Sequence, residues 1–394
     1  MSRRGFLKTG AACAVVAASP PLVPAAFAAP GAPEAQGSPS PPEGVHFLFD
    51  GLDLKPPDYA QLLPDRAKAG GAGADIYLSG GAVEQLEARM AALLGKERAV
   101  FIPTGTLANH LAIRRLTSDR TRAIVPAESH IYNDSFDCVE TLSHLNLIPL
   151  GPGQATFKLA QVEQACRQAV DGPFPVPVGA IAIESPIRRQ NGAVFDFEEM
   201  KRISAWARNE KIGLHLDGAR LLIACAYTGI APAAYAALFD TVYVSLYKYL
   251  NAGAGAILAG PREVIEKVAH DRKVFGGGLA SAWPYAAVAL YYLDGFVERF
   301  RKAIEAAEAL WALLGKHPRF KVEKIPGGTN VYKLRVQKVD AARYRMALAR
   351  GGIRVGRAAP GPDHIELLLF INETMNRRAV PELARVFTES LSAA

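Results

Sequence analysis

Leu214-His215-Leu216-Asp217-Gly218-Ala219-Arg220 is an apolar run that turns polar at Asp217. Further along the chain, Ser245-Leu246-Tyr247-Lys248 ends a second apolar run, 241–246, and places Lys248 just beyond it. Short apolar runs of this kind predict buried strands. In a parallel sheet, two such strands bring a carboxylate and an amine to the same edge. The sequence therefore predicts a functional edge built around Asp217 and Lys248.

An amine beside a carboxylate is the pair of protein groups that a pyridoxal phosphate (PLP) site requires. The amine bonds to the aldehyde of the cofactor, and the carboxylate keeps the pyridine nitrogen protonated. Each residue alone also has an ordinary explanation. Asp217 could cap a helix, and Lys248 could be a solvated surface charge.

A second chemical feature follows the short apolar run 99–102. Pro103-Thr104-Gly105-Thr106 has the composition of a turn, and the spacing of apolar residues predicts a helix over 107–116. Gly105 permits a tight turn, and the free N–H groups at a helix N-terminus bind phosphate. Taken alone, a Gly-Thr pair at this position is more often a simple helix cap.

The middle of the chain alternates predicted strands with predicted helices. The strands cover 122–126, 145–150, 179–184, 212–216, 241–246 and 256–258. This alternation predicts a parallel α/β sheet. Before it, Asp50–Asp65 is punctuated by prolines, and we expect an irregular segment there. A helical pattern from Trp283 to about Leu314, with a break near Gly295, leads into a second domain.

The predicted domain boundaries follow from these patterns. We expect a PLP-binding large domain over 46–297 and a small C-terminal α/β domain over 298–394. In the small domain, strands are predicted at 331–336, 353–355 and 364–370, with helices at 341–350 and 375–391.

The first 28 residues predict an export signal. Arg3-Arg4 precedes a mild apolar run, as in twin-arginine signals, and Ala26-Phe27-Ala28 fits a cleavage site. The alternative is an ordinary secretory signal with two chance arginines. The twin-arginine translocon carries folded proteins, which suits an enzyme that binds its cofactor before export. We therefore expect a periplasmic protein, with a disordered Pro/Gly/Ala/Ser linker over 29–45.

The bulk composition fits a globular enzyme. The chain has 394 residues, of which 50% are hydrophobic and 21% are charged. Its net charge is +7, and removing Arg3, Arg4 and Lys8 with the signal leaves 7 − 3 = +4. No dense basic block with interleaved aromatic residues occurs, so no nucleic-acid partner is expected. No other apolar run is long enough for a stable membrane anchor. Of the four cysteines, Cys13 lies in the signal, and the three that remain make no disulfide framework.

Several motifs, in the correct order, resemble the threonine aldolase / β-eliminating lyase group of fold-type I PLP enzymes. The resemblance covers roughly residues 48–373. Thr104-Gly105-Thr106-Leu107-Ala108-Asn109 is similar to the Ser-Gly-Thr-Met-Ala-Asn of that group. The other matching segments are Asp75-Ile76-Tyr77, 83–87, 95–97, 215–221, 245–248, Arg272-Lys273 and the triple glycine 276–278.

This resemblance implies a fold, an assembly and a set of cofactor contacts. The fold is an aspartate-aminotransferase-like large domain with a mostly parallel seven-stranded sheet, plus a smaller C-terminal α/β domain. Enzymes of this group form their sites at subunit interfaces, which implies a homodimer or homotetramer. No metal is implied. Lys248 would bond to PLP, Asp217 would pair with the pyridinium nitrogen and His130 would stack on the ring. The further cofactor residues are Thr104, Gly105, Thr106, Arg220 and Ser245.

The resemblance also implies substrate contacts, and here the sequence departs from the group. Arg189 stands at an arginine that grips the substrate carboxylate, and Tyr77 is a further substrate residue. Glu366 replaces a second carboxylate-binding arginine, and Phe49 replaces a serine near the substrate. A glutamate at this substrate-binding position would repel a carboxylate or attract a cationic group, so we expect a substrate other than plain threonine. Two arginines are candidates for the missing group: Arg354 and Arg357.

The expected function is a PLP-dependent lyase that cleaves the Cα–Cβ bond of a β-hydroxy-α-amino acid, with His130 or Lys248 as the base. A β-eliminating lyase or an aminotransferase could use the same residues. A non-catalytic binding protein on a degenerate PLP fold is an alternative of another class. Ser245-x-x-Lys248 also has the spacing of the serine motif of penicillin-binding proteins, but that motif opens a helix, whereas this one ends a β-branched run.

Overall fold

The computed structural model describes residues 44–68 and 73–393. The predicted export signal and all but the last two residues of the predicted linker lie outside these residues. Within the described residues, no helix is long and apolar enough to cross a bilayer.

Strands and helices alternate along most of the described chain. The strands are β1 (Val45–His46), β2 (Arg98–Ile102), β3 (Arg122–Pro126), β4 (Asn146–Leu150), β5 (Val178–Glu184), β6 (Gly213–Asp217), β7 (Thr241–Ser245), β8 (Ala256–Gly260), β9 (Phe320–Lys324), β10 (Val331–Gln337), β11 (Ile353–Arg354), β12 (Ala359–Pro360) and β13 (His364–Phe370).

The α-helices are α1 (Pro56–Lys68), α2 (Gly81–Leu94), α3 (Gly105–Thr117), α4 (His130–Asn133), α5 (Cys138–Ser143), α6 (Leu159–Val170), α7 (Phe197–Asn209), α8 (Leu221–Thr228), α9 (Pro232–Ala236), α10 (Arg262–Val274), α11 (Trp283–Leu293), α12 (Phe296–Leu314), α13 (Ala341–Arg350) and α14 (Val380–Glu389). Short 3-10 helices cover Arg188–Gln190, Glu373–Arg377 and Ser390–Ala393.

The central sheet confirms the predicted fold class. Among the described residues it has seven strands in the order β2-β8-β7-β6-β5-β3-β4. β3 to β7 pair in parallel, and β8 is antiparallel to both of its neighbours. Strands β5 and β7 are buried along their whole length, which explains why their sequences are continuous apolar runs. The carboxyl ends of the parallel strands therefore meet at one edge.

A second sheet forms the later part of the chain. Its order is β12-β13-β10-β9, and all its pairings are antiparallel. A separate hydrophobic core covers it, to which Leu310 of α12 and Phe387 of α14 contribute. Val45 and Phe47 from the start of the described chain belong to this core, and β1 pairs with β11 in parallel.

Three local predictions differ from the structure. The segment expected to be irregular contains α1, because Pro56 and Pro57 sit in the first turn, where no N–H is needed. The single helix expected over 375–391 is divided, because Pro381 starts a new helix at α14. Strand β1 begins at Val45, inside the predicted linker. The predicted break at Gly295 is confirmed, and its φ is 67°.

Candidate active site

A cavity of about 630 Å³ opens at the carboxyl edge of the central sheet. This volume is in the ordinary range for a site that binds a small molecule. The cavity brings together most of the residues predicted to hold the cofactor: Thr104, Gly105, Thr106, His130, Asp217, Arg220 and Lys248.

The N-terminus of α3 forms one wall of this cavity. Thr104 caps the helix, and its Oγ1 accepts a hydrogen bond from the N–H of Leu107 at 3.2 Å. Gly105 follows at a point where a Cβ atom would lie 2.0 Å from the phenol oxygen of Tyr243. Only glycine fits this close approach, and the first turn of the helix faces the cavity. A helix N-terminus open in this way suits a phosphate group.

Substituting Gly105 should therefore destabilise the fold as well as the site. For Gly105→Ala we expect the free energy of unfolding to fall by about 1–3 kcal/mol, because the added methyl group overlaps a buried phenol ring. Denaturant unfolding measures this loss. Gly356→Ala is the matched control, since a Cβ at Gly356 meets no atom within 4 Å. Equal effects of the two substitutions would contradict the close packing at Gly105.

Asp217 ends β6 and is only 6% exposed. Its Oδ2 accepts a hydrogen bond from Nδ2 of Asn109 at 2.6 Å, and its Oδ1 accepts one from the N–H of Ala219 at 3.0 Å. Both oxygens therefore act as acceptors, which is the role of an ionised carboxylate.

His130 begins α4, directly after β3. Its backbone N–H donates to Oε2 of Glu184 at 2.5 Å, and the hydroxyl of Ser135 lies 3.1 Å from its Nδ1. Burial lowers the pKa of His130, although the nearby Asp217 carboxylate opposes this shift. The imidazole is therefore neutral near pH 7 and able to accept a proton.

Glu184 is a site residue to which sequence reasoning gave no role. It ends β5 in register with Asp217 on β6, and it is 4% exposed. Its two oxygens accept the backbone N–H groups of His130 and Arg188, so one carboxyl group holds two loops. Burial raises the pKa of Glu184 to about 7, and the Asp217 carboxylate adds to the shift. In the sequence, the position of Glu184 at the end of a predicted strand was the signal that could have identified it as a site residue.

The raised pKa of Glu184 predicts a pH-dependent stability. The native state holds the Glu184 proton more tightly than the unfolded state does. The stabilisation that this proton provides is therefore greatest below the ordinary pKa of 4.5 and is lost as the pH rises through about 7. Wild-type protein should lose more free energy of unfolding than Glu184→Gln over this interval. Denaturant unfolding at both ends of the interval measures the difference, with Glu198→Gln on the exposed face of α7 as the control. Parallel pH profiles of wild type and Glu184→Gln would contradict the shift.

Lys248 lies three residues beyond the end of β7, beside the exposed ring of Tyr247. Its Nζ is 5.1 Å from the centre of that ring. Gly253 and Gly255 line the cavity near it.

The Ser245-x-x-Lys248 spacing does not have the structural context of the penicillin-binding motif. Ser245 is the last residue of β7 rather than the start of a helix, so that alternative has no support.

Arg220 lies on the cavity wall and is held by a residue that is distant in the sequence. Its Nε donates to Oδ2 of Asp50 at 2.8 Å. The other oxygen of Asp50 accepts a hydrogen bond from Nδ2 of Asn330 at 2.9 Å. Asp50 therefore joins the cavity wall to the loop before β10.

Several predicted residues do not border the cavity. Ser245 is fully buried beneath it. Tyr77 is 65% exposed elsewhere, with its backbone N–H bonded to the carbonyl of Ala280. Arg189 binds both oxygens of Asp134, at 2.8 and 3.2 Å, while the adjacent Arg188 reaches the cavity instead.

Glu366 also lies away from the cavity. On β13 it faces Lys333 and Arg335 of β10, each at 3.3 Å, because the register of the two strands sets them side by side. The expected repulsion of a substrate carboxylate by Glu366 therefore has no support. The two candidate replacements do not border the cavity either: Arg354 binds Asp53 at 2.9 Å, and Arg357 is exposed.

Comparison with known proteins identifies the family of this chain. The family model described as "Beta-eliminating lyase" matches residues 65–335. The chain belongs to the beta-eliminating lyase family. A Schizosaccharomyces pombe protein named "Probable low-specificity L-threonine aldolase" is 31% identical over 316 residues, which cover 77% of this chain and 81% of that one. The low-specificity L-threonine aldolase of Saccharomyces cerevisiae is 30% identical over 214 residues, or 54% of each chain.

Solved structures of other family members have the same fold. A protein from Exiguobacterium sp. 255-15, described as an aromatic amino acid beta-eliminating lyase/threonine aldolase, superposes with a TM-score of 0.74. It is 25% identical, and the match covers 89% of this chain and 97% of that one. The predicted family, the predicted fold and the predicted class of enzyme, a PLP-dependent carbon–carbon lyase, are confirmed at the level of the family.

The residues around the cavity fit PLP. The α3 N-terminus, where a Cβ on Gly105 would clash, offers N–H groups for a phosphate. Asp217 offers a carboxylate for a pyridinium nitrogen, His130 offers a flat neutral ring, and Lys248 offers an amine.

Proposed function

We propose that this beta-eliminating lyase family member is a PLP-dependent lyase that cleaves a β-hydroxy-α-amino acid into glycine and an aldehyde. The observation that carries the proposal is the gathering of Lys248, Asp217 and His130 around one cavity, beside an open helix N-terminus. The relatives named as threonine aldolases support the choice of reaction.

Each residue around the cavity has its own role in the proposed reaction. When bound, PLP accepts the electron pair that is released as the Cα–Cβ bond breaks. Asp217 holds a negative charge at the cavity floor, and its two N–H contacts fix the direction of its oxygens. His130 is neutral, so it is able to take the proton of the substrate β-hydroxyl. Glu184 keeps the His130 loop in place through the backbone.

Arg188 is the proposed partner of the substrate carboxylate. It borders the cavity and its side chain is 52% exposed, whereas Arg189 does not border the cavity. Asp134 bonds to both arginines and orients them, and their hydrogen bonds lower the pKa of Asp134 to about 2. The guanidinium group of Arg188, which is fixed by Asp134, therefore faces the substrate.

A comparison of two adjacent arginines tests this assignment. For Arg188→Ala we expect KM to rise about 10- to 100-fold, because the substrate carboxylate loses a charge-assisted hydrogen bond. For Arg189→Ala we expect a rise of less than about threefold, since it acts only through Asp134. Steady-state kinetics with the preferred substrate measures both. A larger effect at Arg189 would assign the carboxylate to that residue.

The substrate proposed here is bulkier than threonine. Phe49, where the family has a serine, does not line the cavity itself, but it is 55% exposed and precedes Asp50, the residue that anchors Arg220 on the cavity wall. An aromatic ring at this position favours an apolar β-substituent on the substrate. A panel of β-hydroxy-α-amino acids with small and aromatic substituents ranks the substrates by kcat/KM.

Product analysis separates this proposal from its alternatives. The purified protein is mixed with each amino acid, and glycine plus aldehyde is measured against ammonia plus 2-keto acid. The proposal predicts glycine and aldehyde in equal amounts. Ammonia without glycine would establish β-elimination, with Lys248 as the base. Amino-group transfer to an added keto acid would establish an aminotransferase, and PLP binding without any product would indicate a binding protein.

We further propose a homodimer or homotetramer. Large apolar side chains are exposed, among them Phe136 at 99%, Val274 at 66% and Leu142 at 51%. Leu142 lines a smaller pocket together with Thr104 and Thr106. Exposed apolar side chains of this size are candidates for burial between subunits. Sedimentation at several protein concentrations tests this, and a monomer at micromolar concentration would contradict it.

The periplasm is the proposed location, after transport by the twin-arginine translocon. The support is the Arg3-Arg4 pair with the apolar run and the Ala26-Phe27-Ala28 site. Replacing both arginines with lysine should retain the protein in the cytoplasm. Unchanged export of that variant would point to an ordinary secretory signal.

A further inference from the structure

Behind Asp217 runs an unbroken line of buried polar side chains. Nδ2 of Asn109 is 2.6 Å from Oδ2 of Asp217, and Oδ1 of Asn109 is 2.9 Å from Nε2 of His215. Nδ1 of His215 is in turn 2.9 Å from Oγ1 of Thr241. These four residues come from β6, β7 and α3, and none of Asn109, His215 and Thr241 is more than 2% exposed.

The backbone explains why these side chains meet. His215 and Asp217 are two residues apart on β6, so both point to the face that α3 covers. Thr241 of β7 is the register partner of His215. Asn109 lies on the buried side of α3, above both residues.

The chemistry of each group sets the direction of every hydrogen bond. An ionised Asp217 has no proton to give, so the amide nitrogen of Asn109 must donate to it. The amide oxygen of Asn109 then faces His215 and can only accept, which requires a proton on Nε2. Nδ1 is left as an acceptor, and the hydroxyl of Thr241 donates to it. Burial lowers the pKa of His215 to about 4, although the Asp217 carboxylate and a hydrogen bond with the Thr241 backbone oppose this shift. A lowered pKa agrees with a ring that carries one proton.

We propose that Thr241, His215 and Asn109 are positioning residues that hold Asp217 as an ionised acceptor toward the cofactor. This inference rests on the proposed PLP site. Ionised Asp217 and the Asn109 amide set the proton of His215 on Nε2, and the Thr241 hydroxyl donates to Nδ1. The hydrogen-bonded ring in turn holds the Asn109 amide that fixes Oδ2 of Asp217. A protonated Asp217 would reverse the amide and, with it, the tautomer of His215. The tautomer of one buried histidine therefore reports the state of the cofactor-binding carboxylate.

The tautomer is measured directly by ¹⁵N nuclear magnetic resonance of the histidine rings. Leu214-His215 is the one Leu–His pair in the sequence, so combined ¹³C-leucine and ¹⁵N-histidine labelling identifies the backbone amide of His215, from which its ring signals are assigned. The expected result is a neutral ring with the proton on Nε2 from about pH 5.5 to 9, in the protein as purified and after removal of PLP. A proton on Nδ1, or a doubly protonated ring, would overturn the proposal.

A pair of substitutions at Thr241 tests the functional consequence. Thr241→Val removes the hydroxyl and keeps the shape of the side chain, whereas Thr241→Ser keeps the hydroxyl. For Thr241→Val, Nδ1 of His215 loses its donor, while the Asn109 oxygen still requires the proton on Nε2. We therefore expect an unchanged tautomer, a kcat lowered about fivefold with little change in KM, and a shifted pH midpoint of the cofactor absorbance. Thr241→Ser should restore the wild-type kcat and absorbance midpoint. A kcat and an absorbance midpoint unchanged in Thr241→Val would overturn the proposal.

Failure of this proposal is distinguishable from failure of the proposed function. If the protein binds no PLP, the absorbance is absent in the wild type, while the His215 tautomer remains measurable. If PLP binds and the tautomer differs from the expected form, the cofactor site stands and the positioning chain does not.

Discussion

Replacing Lys248 with alanine is expected to remove the cofactor absorbance of the purified protein and to lower kcat by at least about 10³-fold. Lys248 is the one lysine that borders the cavity among the described residues, and it lies at the edge that also carries Asp217 and His130. No other described amine is placed to bond with a cofactor aldehyde there. The absorbance spectrum and the rate of product formation measure the two effects.

Lys267→Ala is the matched control for this substitution. Lys267 is exposed on α10, where it pairs with Glu263 at 2.6 Å. Its loss should leave the spectrum and the activity unchanged, since exposed ion pairs contribute little. A Lys248→Ala protein that keeps its absorbance and most of its activity would place the reactive amine elsewhere.

Asp217→Asn is expected to lower kcat by about 10²- to 10³-fold. An amide in this place has no negative charge, so the charge that stabilises a protonated pyridine nitrogen is lost from a buried site, an effect of about 2.7–4 kcal/mol. The hydrogen bond from Asn109 also loses its charged acceptor. Steady-state kinetics measures kcat, and equilibrium dialysis measures PLP affinity.

Asp363→Asn is the control for the loss of one carboxylate. Asp363 is exposed before β13, and its carboxylate pairs with the neighbouring His364. We expect wild-type kinetics from this variant. An Asp217→Asn enzyme within about threefold of the wild-type kcat would show that the carboxylate has no electronic role.

The sequence predicted the central sheet because its signals are local. Apolar runs such as Thr241–Ser245 are buried along their whole length, and each is followed by a helix or turn that ends it. Since parallel strands share an edge, their terminal residues Asp217 and Lys248 could be placed together without any knowledge of packing. Helix α1 was missed because prolines were read as breaks rather than as residues of a first turn.

Contacts between distant residues could not be predicted in this way. Asn109 and His215 are 106 positions apart, and only the packing of α3 on β6 brings them together. Arg188 and Arg189 are neighbours of the same type, and the 3-10 turn Arg188–Gln190 decides which of them faces the cavity. The partners of Glu366 depend on the register of β13 against β10, which no local pattern specifies.

The most direct test of the account is to reduce the protein with borohydride and map its peptides. Reduction makes the bond between PLP and a lysine permanent, and trypsin does not cut after a lysine modified in this way. The account predicts one uncut peptide, 221–262, that carries a single pyridoxyl phosphate group on Lys248. A modified lysine in any other peptide, or no modified peptide from protein saturated with PLP, would contradict it.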